Sequence, residues 1–217
     1  MIPSDPHGAA RIVTSGPSLE ELGPNGIVMI LIHGRGATAD DILGIAELFP
    51  ESRIAAIAPE ANGYQWYPQR FIAAREENQP YLDSAINLVD NLVRRVAESG
   101  IPTERLILAG FSQGACLSAD YAASHPRRYG GVFVLSGGVI GPDGGLPRYT
   151  GSLEGTPVLI GCADQDFHIP VERVRETAEI MESLSGEVEL QVFPGTAHSI
   201  FEDEVSSMRK IVRELTA

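Results

Sequence analysis

Arg105-Leu106-Ile107-Leu108-Ala109-Gly110-Phe111-Ser112-Gln113-Gly114-Ala115-Cys116-Leu117 is the stretch around which the 217-residue chain is organised. Leu106 to Ala109 is a short apolar run, as expected of a strand covered on both faces. Gly110-Phe111-Ser112-Gln113-Gly114 follows the pattern G-x-S-x-G, and beyond it Cys116-Leu117 and Tyr121-Ala122 recur at helical spacing. A strand, a sharp turn and a helix would push the Ser112 hydroxyl out above a sheet. Strand and helix would then run too close for side chains two before and two after the serine, so glycine is wanted at both places.

A serine hydroxyl needs a base to take its proton, and histidine, titrating near neutrality, is the usual one. The second imidazole nitrogen needs a carboxylate to hold it in the right tautomer. On a strand–turn–helix scaffold the chain order is serine, acid, histidine. Of five histidines, His198 alone follows the serine in a glycine-containing loop between a strand and a helix, Pro194-Gly195-Thr196-Ala197-His198-Ser199. His7 lies in the N-terminal segment, His125 precedes a proline, and His168 shares a loop with the acids. His33 lies upstream and is read as shaping the loop that follows it. The acid is Asp164 or Asp166. The run Asp164-Gln165-Asp166-Phe167-His168 also resembles a metal cluster, but a closed site would need further ligands, and no metal is expected. For the oxyanion, one donor is expected to be the backbone N–H of Gln113 and the second that of Arg35, in the glycine-flanked loop after residue 32. The Arg35 side chain is left with two readings, as part of that loop or as a contact for a substrate anion.

Elsewhere strands and helices alternate. Strands are expected over residues 27–32, 53–58, 131–136, 157–162 and 188–192. Helices are expected from Thr38 to about Phe49, and over 81–98, 171–184 and 200–215. This predicts an α/β fold with a mostly parallel sheet, helices on both faces, and the site at the carboxyl ends of the strands. A single domain is expected over 1–217, with 1–26 loosely structured apart from an edge strand near residues 11–14. The loop over 59–80 holds Trp66, Tyr67 and Phe71, which either wall a substrate pocket or pack the loop onto the core.

Composition narrows the partners. Hydrophobic residues make up 43% and the mean hydropathy is zero, which fits a soluble globular chain with no membrane insertion. A formal net charge of −13 disfavours nucleic acid and anionic surfaces as partners. Cys116 and Cys162 lie far apart and read as small buried residues, and a cytoplasmic location is expected in the absence of a recognisable signal peptide.

His33-Gly34-Arg35-Gly36, Gly110-Phe111-Ser112-Gln113-Gly114-Ala115, Asp164-Gln165-Asp166-x-x-Ile169-Pro170 and the loop around His198 resemble the phospholipase/carboxylesterase family of α/β-hydrolases. The resemblance runs from about residue 25 to the end of the chain. It implies an α/β-hydrolase fold without a large lid domain and a triad of Ser112, Asp166 and His198. It also implies an oxyanion hole of the Arg35 and Gln113 amides, and no cofactor. Arg35 stands where the family's acyl-protein thioesterases carry an apolar residue, and the Trp66-Tyr67-Pro68 segment is closer to bacterial carboxylesterase-like members. The expected activity is hydrolysis of small or medium uncharged esters by a monomer or homodimer. The alternatives are an acyl-thioesterase, lysophospholipase-like or lactone-hydrolase activity, or a non-catalytic binder on the same fold.

Overall fold

The computed structural model describes residues 4–50 and 53–216. Among these residues seven strands form one sheet: β1 Ile12–Ser15, β2 Ile27–Ile32, β3 Ile54–Pro59, β4 Leu106–Phe111, β5 Gly131–Leu135, β6 Pro157–Ala163 and β7 Glu187–Phe193. Their order across the sheet is β1-β3-β2-β4-β5-β6-β7. Only β1 runs antiparallel, pairing with β3 at the edge. The central strands β2 and β4 pair in parallel from Val28–Leu106 to Ile32–Gly110. Every residue of β2 is buried, because helices cover both faces of a parallel sheet and leave no face for polar side chains.

Among the described residues the six α-helices are α1 Leu19–Leu22, α2 Ala39–Leu43, α3 Tyr81–Glu98, α4 Gln113–Ser124, α5 Val171–Ser183 and α6 Glu202–Thr216. The side chains of β4 alternate between two cores. Leu106 and Leu108 join the cluster that includes residues of α3, α4 and α5, whereas Ile107 and Ala109 join the one with residues of α2 and α6. Helix α3 buries Leu82, Ala85, Val89, Leu92, Val93 and Val96, one stripe at three- and four-residue steps. Helix α4 is buried on every side from Gln113 to Ala123; most of its side chains are small or apolar, and Gln113, Ser118 and Asp120 are its buried polar ones.

Two expectations are corrected. The helix expected from Thr38 to Phe49 is two pieces. Thr38 caps α2, and after Leu43 the chain tightens at Gly44 into a 3-10 turn over Ala46–Leu48. Glycine has little helical preference, and the Ile45 amide already bonds the Ile42 carbonyl three residues back. Nor is the N-terminal segment loose, although residues 1–3 lie outside the described residues. His7 is fully buried, its amide donating to Ser84 Oγ, and Ser18 with Glu21 closes a capping box on α1.

The crossing of β4 and α4 sets the tightest steric condition. A Cβ at Gly110 would lie 2.3 Å from the Gly114 carbonyl carbon, and one at Gly114 would lie 2.0 Å from the Ile32 carbonyl oxygen. Gly44 is different: its backbone is right-handed helical, and a Cβ there meets nothing closer than 3.5 Å. Gly114→Ala is therefore expected to destabilise the fold by several kcal/mol or abolish it, and Gly44→Ala to leave stability unchanged or raise it by up to about 1 kcal/mol. Urea unfolding midpoints of the two variants check this.

Candidate active site

Ser112 sits between the last residue of β4 and the first of α4, at φ 55° and ψ −118°. A non-glycine residue held there stores on the order of 1–3 kcal/mol of strain. The surroundings hold it in place: its amide donates to the Leu135 carbonyl of β5 and its carbonyl accepts from the Cys116 amide. The turn leaves the hydroxyl half-buried at the carboxyl rim of the sheet, 2.8 Å from His198 Nε2.

His198 lies in the loop between β7 and α6, and its Nδ1 is 2.6 Å from Asp166 Oδ2. A carboxylate only accepts, so Nδ1 carries the proton and Nε2 keeps the lone pair that faces the serine. The other Asp166 oxygen accepts from the amides of His168 and Ile169. Burial works to raise the Asp166 pKa, but the hydrogen bonds from His198 and these two amides outweigh it and hold it below the ordinary carboxylate value. Asp164, which the residue pattern alone did not separate from Asp166, points elsewhere. It accepts from the Gly195 amide and so ties the loop after β6 to the loop that carries His198. Among the described residues no group of three or more His, Cys, Asp or Glu side chains is arranged to hold a metal ion.

The Arg35 and Gln113 amides donate to no other described residue. Their side chains brace the aromatic loop. Arg35 donates to Gln65 Oε1 and to the carbonyls of Tyr67, Pro68 and Gln69, which leaves its guanidinium committed to the loop rather than to a substrate anion. Gln113 accepts from the Trp66 amide and donates to the Tyr67 carbonyl. His33 Nε2 accepts from the Ala61 amide, so Nδ1 donates to the Gly34 carbonyl. Burial lowers the His33 pKa, against the pull of that carbonyl, and keeps the ring neutral in this role.

A cleft of about 410 Å³ opens beside Ser112 and His198. Tyr67 and Phe71 line it. Trp66 does not. It is fully buried, its indole N–H donating to the His33 carbonyl, so it packs the loop onto the core. Cys116 also borders the cleft, but burial pushes its thiol up to about 12, which keeps it protonated and unreactive.

Several supporting residues escaped the sequence reading. His7 accepts from the Asn62 amide and donates to the Trp66 carbonyl, bracing the aromatic loop from behind. Arg75 donates to both oxygens of the buried Asp120, joining the same loop to α4. Glu204, in the first turn of α6, is fully buried, with Oε2 accepting from the Phe201 amide and Oε1 lying where a side chain on Gly161 would be. Only Glu204 left a local signal, an acid placed three residues into a helix where it reaches back to a free amide.

The model of the phospholipase/carboxylesterase family matches residues 20–216. The chain belongs to that family. Membership makes it a serine hydrolase of the carboxylic-ester type. Among solved structures it is similar to the phospholipase/carboxylesterase from Dyadobacter fermentans DSM 18053, with a TM-score of 0.88 and 37% identity over 94% of this chain and 96% of that one. It is 27% identical to acyl-protein thioesterase 1 of Saccharomyces cerevisiae, over 86% of this chain and 91% of that protein. It is also 29% identical to acyl-protein thioesterase 1 of Gibberella zeae, over 57% of this chain and 54% of that protein. The Bacillus cereus carboxylesterase, at 18% identity and a TM-score of 0.76, shares the fold, with 96% of this chain and 95% of that one covered. In keeping with the family's α/β-hydrolase architecture, no helix among the described residues is long and apolar enough to cross a membrane.

Burial, only partly opposed by the Phe201 N–H, pushes the Glu204 carboxyl up to about 7 from 4.5. A raised carboxyl pKa means that the folded chain holds a proton the unfolded chain has released. Stability then falls as pH rises from about 4.5 to 7. Glu204→Gln keeps the acceptor and removes the titration. Relative to this variant, the protein is expected to lose about 2–3 kcal/mol between pH 5 and 8, and urea unfolding of both across that range checks it.

Proposed function

We propose that this chain is a carboxylesterase in which Ser112 is the nucleophile, His198 the general base and Asp166 the group that orients it. The observation that carries the reading is the unbroken hydrogen-bond chain: Ser112 Oγ to His198 Nε2 at 2.8 Å, then His198 Nδ1 to Asp166 Oδ2 at 2.6 Å. Ser112 Oγ attacks the ester carbonyl while His198 takes its proton, and Asp166 stabilises the imidazolium that forms. The carbonyl oxygen becomes an oxyanion, and the amides of Arg35 and Gln113 donate to it. Each such donor typically lowers the barrier by about 3–4 kcal/mol. His198 returns the proton to the leaving oxygen, the C–O bond breaks, and the acyl group stays on Ser112. Water, deprotonated by the same imidazole, then releases the acid.

The substrates are small or medium uncharged esters. A cleft of about 410 Å³ bounds their size, and a chain of net charge −13 disfavours anionic ones. A second reading, acyl-thioester hydrolysis, is supported by the relatives named acyl-protein thioesterase 1. It uses the same steps with sulfur as the leaving atom. A panel of p-nitrophenyl esters assayed beside acyl-thioesters and lactones separates these activities.

Ser112→Ala is expected to fold normally, to lose covalent labelling by a fluorophosphonate, and to lower kcat/KM by at least about 10⁴. Asp166→Asn is expected to lower kcat by about 10³–10⁴, and Asp164→Asn, remote from the imidazole, by less than about tenfold.

A further inference from the structure

A second recess, of about 420 Å³, lies on the other side of the oxyanion loop from the Tyr67–Phe71 cleft. Ile42, Ile45 and Leu48 form one wall, and Phe111, Ile200 and Val205 the other. It runs between the broken α2 segment and the start of α6. Gly44 contributes a length of wall with no side chain. At its inner end it reaches Gly34, where a Cβ would lie 3.4 Å from the Ser112 Cβ. The Phe111 ring that borders it sits 4.9 Å from the His198 ring, so this recess lies beside the reacting centre.

We propose that this recess receives the alcohol arm of the ester, and that the arm is an uncharged hydrocarbon or aryl group. The inference rests on the triad reading above. In the tetrahedral intermediate the carbon is bonded to Ser112 Oγ and the oxyanion faces the Arg35 and Gln113 amides. The two remaining substituents diverge. The leaving oxygen must take its proton from His198 as its bond to carbon breaks, so the leaving arm lies on the side of the His198 loop. Ile200, two residues past His198, and Val205 of α6 line the recess on that side. The acyl arm is left with the cleft bordered by Gln113, Tyr67 and Phe71. The lining also selects the chemistry. It holds no cationic side chain, and its one carboxylate, Asp41, is engaged by the Thr38 amide and hydroxyl. Those hydrogen bonds hold the Asp41 pKa below its ordinary value, so it stays charged and disfavours an anionic alcohol.

The test uses two ester series on the full chain: acetates of alcohols from methyl to hexyl, and methyl esters of acids from acetic to octanoic. In the unmodified enzyme kcat/KM for the acetates is expected to rise about three- to fourfold per methylene until the recess is filled. All acetates form the same acetyl-enzyme, so the gain falls on acylation and not on its breakdown. Gly44→Phe blocks the recess from a backbone position that accepts a side chain. It is expected to lower kcat/KM for hexyl acetate at least tenfold and leave methyl acetate and methyl hexanoate within about twofold. Ala37→Leu, on another part of the lining, serves as the second variant should the first fail to fold. A loss in the methyl hexanoate series, or an acetate series that neither rises with length nor responds to either variant, overturns the proposal. Fluorophosphonate labelling run in parallel separates the two levels. If Ser112 labels and the series is flat, the alcohol-arm assignment alone falls. If the unmodified enzyme does not label, the triad reading falls with it.

Discussion

Neither residue 110 nor residue 114 has room for a single extra carbon, and much of the rim follows from that. Because β4 and α4 cross within contact of the Ile32 and His33 carbonyls, the chain between them turns within one residue. That residue is Ser112, and the turn is what gives it a positive φ. The strain is small against the burial that opposes it, since α4 is enclosed from Gln113 to Ala123 and each large apolar side chain so buried contributes about 1.5–3 kcal/mol. The same crossing aims the free amides at the head of α4 toward the space above the serine, where negative charge would develop.

From that turn, polar contacts spread outward in layers. Arg35 and Gln113 together clamp the backbone of residues 66–69. The loop that carries Arg35 and the aromatic loop therefore cannot shift independently. Behind them His33 bonds the Gly34 carbonyl and the Ala61 amide, Trp66 bonds the His33 carbonyl, and His7 bonds the Trp66 carbonyl. Each satisfies backbone groups that burial would otherwise leave unpaired. Position at the site thus depends on buried histidines outside the Ser112–His198–Asp166 chain, and burial lowers the pKa of both His7 and His33, against the pull of the carbonyls they bond.

How much of this the sequence revealed depended on how local each cause is. Strand β2 was legible to the residue, because burial on both faces demands an unbroken apolar run, and α3 was legible from its stripe. Ser112 stood out because the steric rule acts within five residues. The capping boxes at Thr38 and Ser18 are equally local, yet the second was overlooked in a stretch rich in Pro and Gly, and Gly44 was not read as a stop. The division between Asp164 and Asp166 was not legible from the residues themselves. The two lie two positions apart, and which one meets an imidazole depends on how β6 and β7 are paired, not on any local preference. His7 and the Arg75–Asp120 pair were hidden for the same reason, since their partners lie tens of residues away.

The break in α2 shows how a local irregularity reaches the chemistry. An uninterrupted helix from Thr38 to Phe49 would carry a regular row of side chains past the first turn of α6. Instead the chain narrows at Gly44, and the three apolar residues Ile42, Ile45 and Leu48 are turned along one wall facing Phe111, Ile200 and Val205. Two recesses of nearly equal volume then flank one serine, one braced by arginine and glutamine side chains, the other walled by aliphatic ones. An ester has two arms, and a site that treats them differently needs two environments. The helix break supplies the second without disturbing the glycine crossing that positions Ser112.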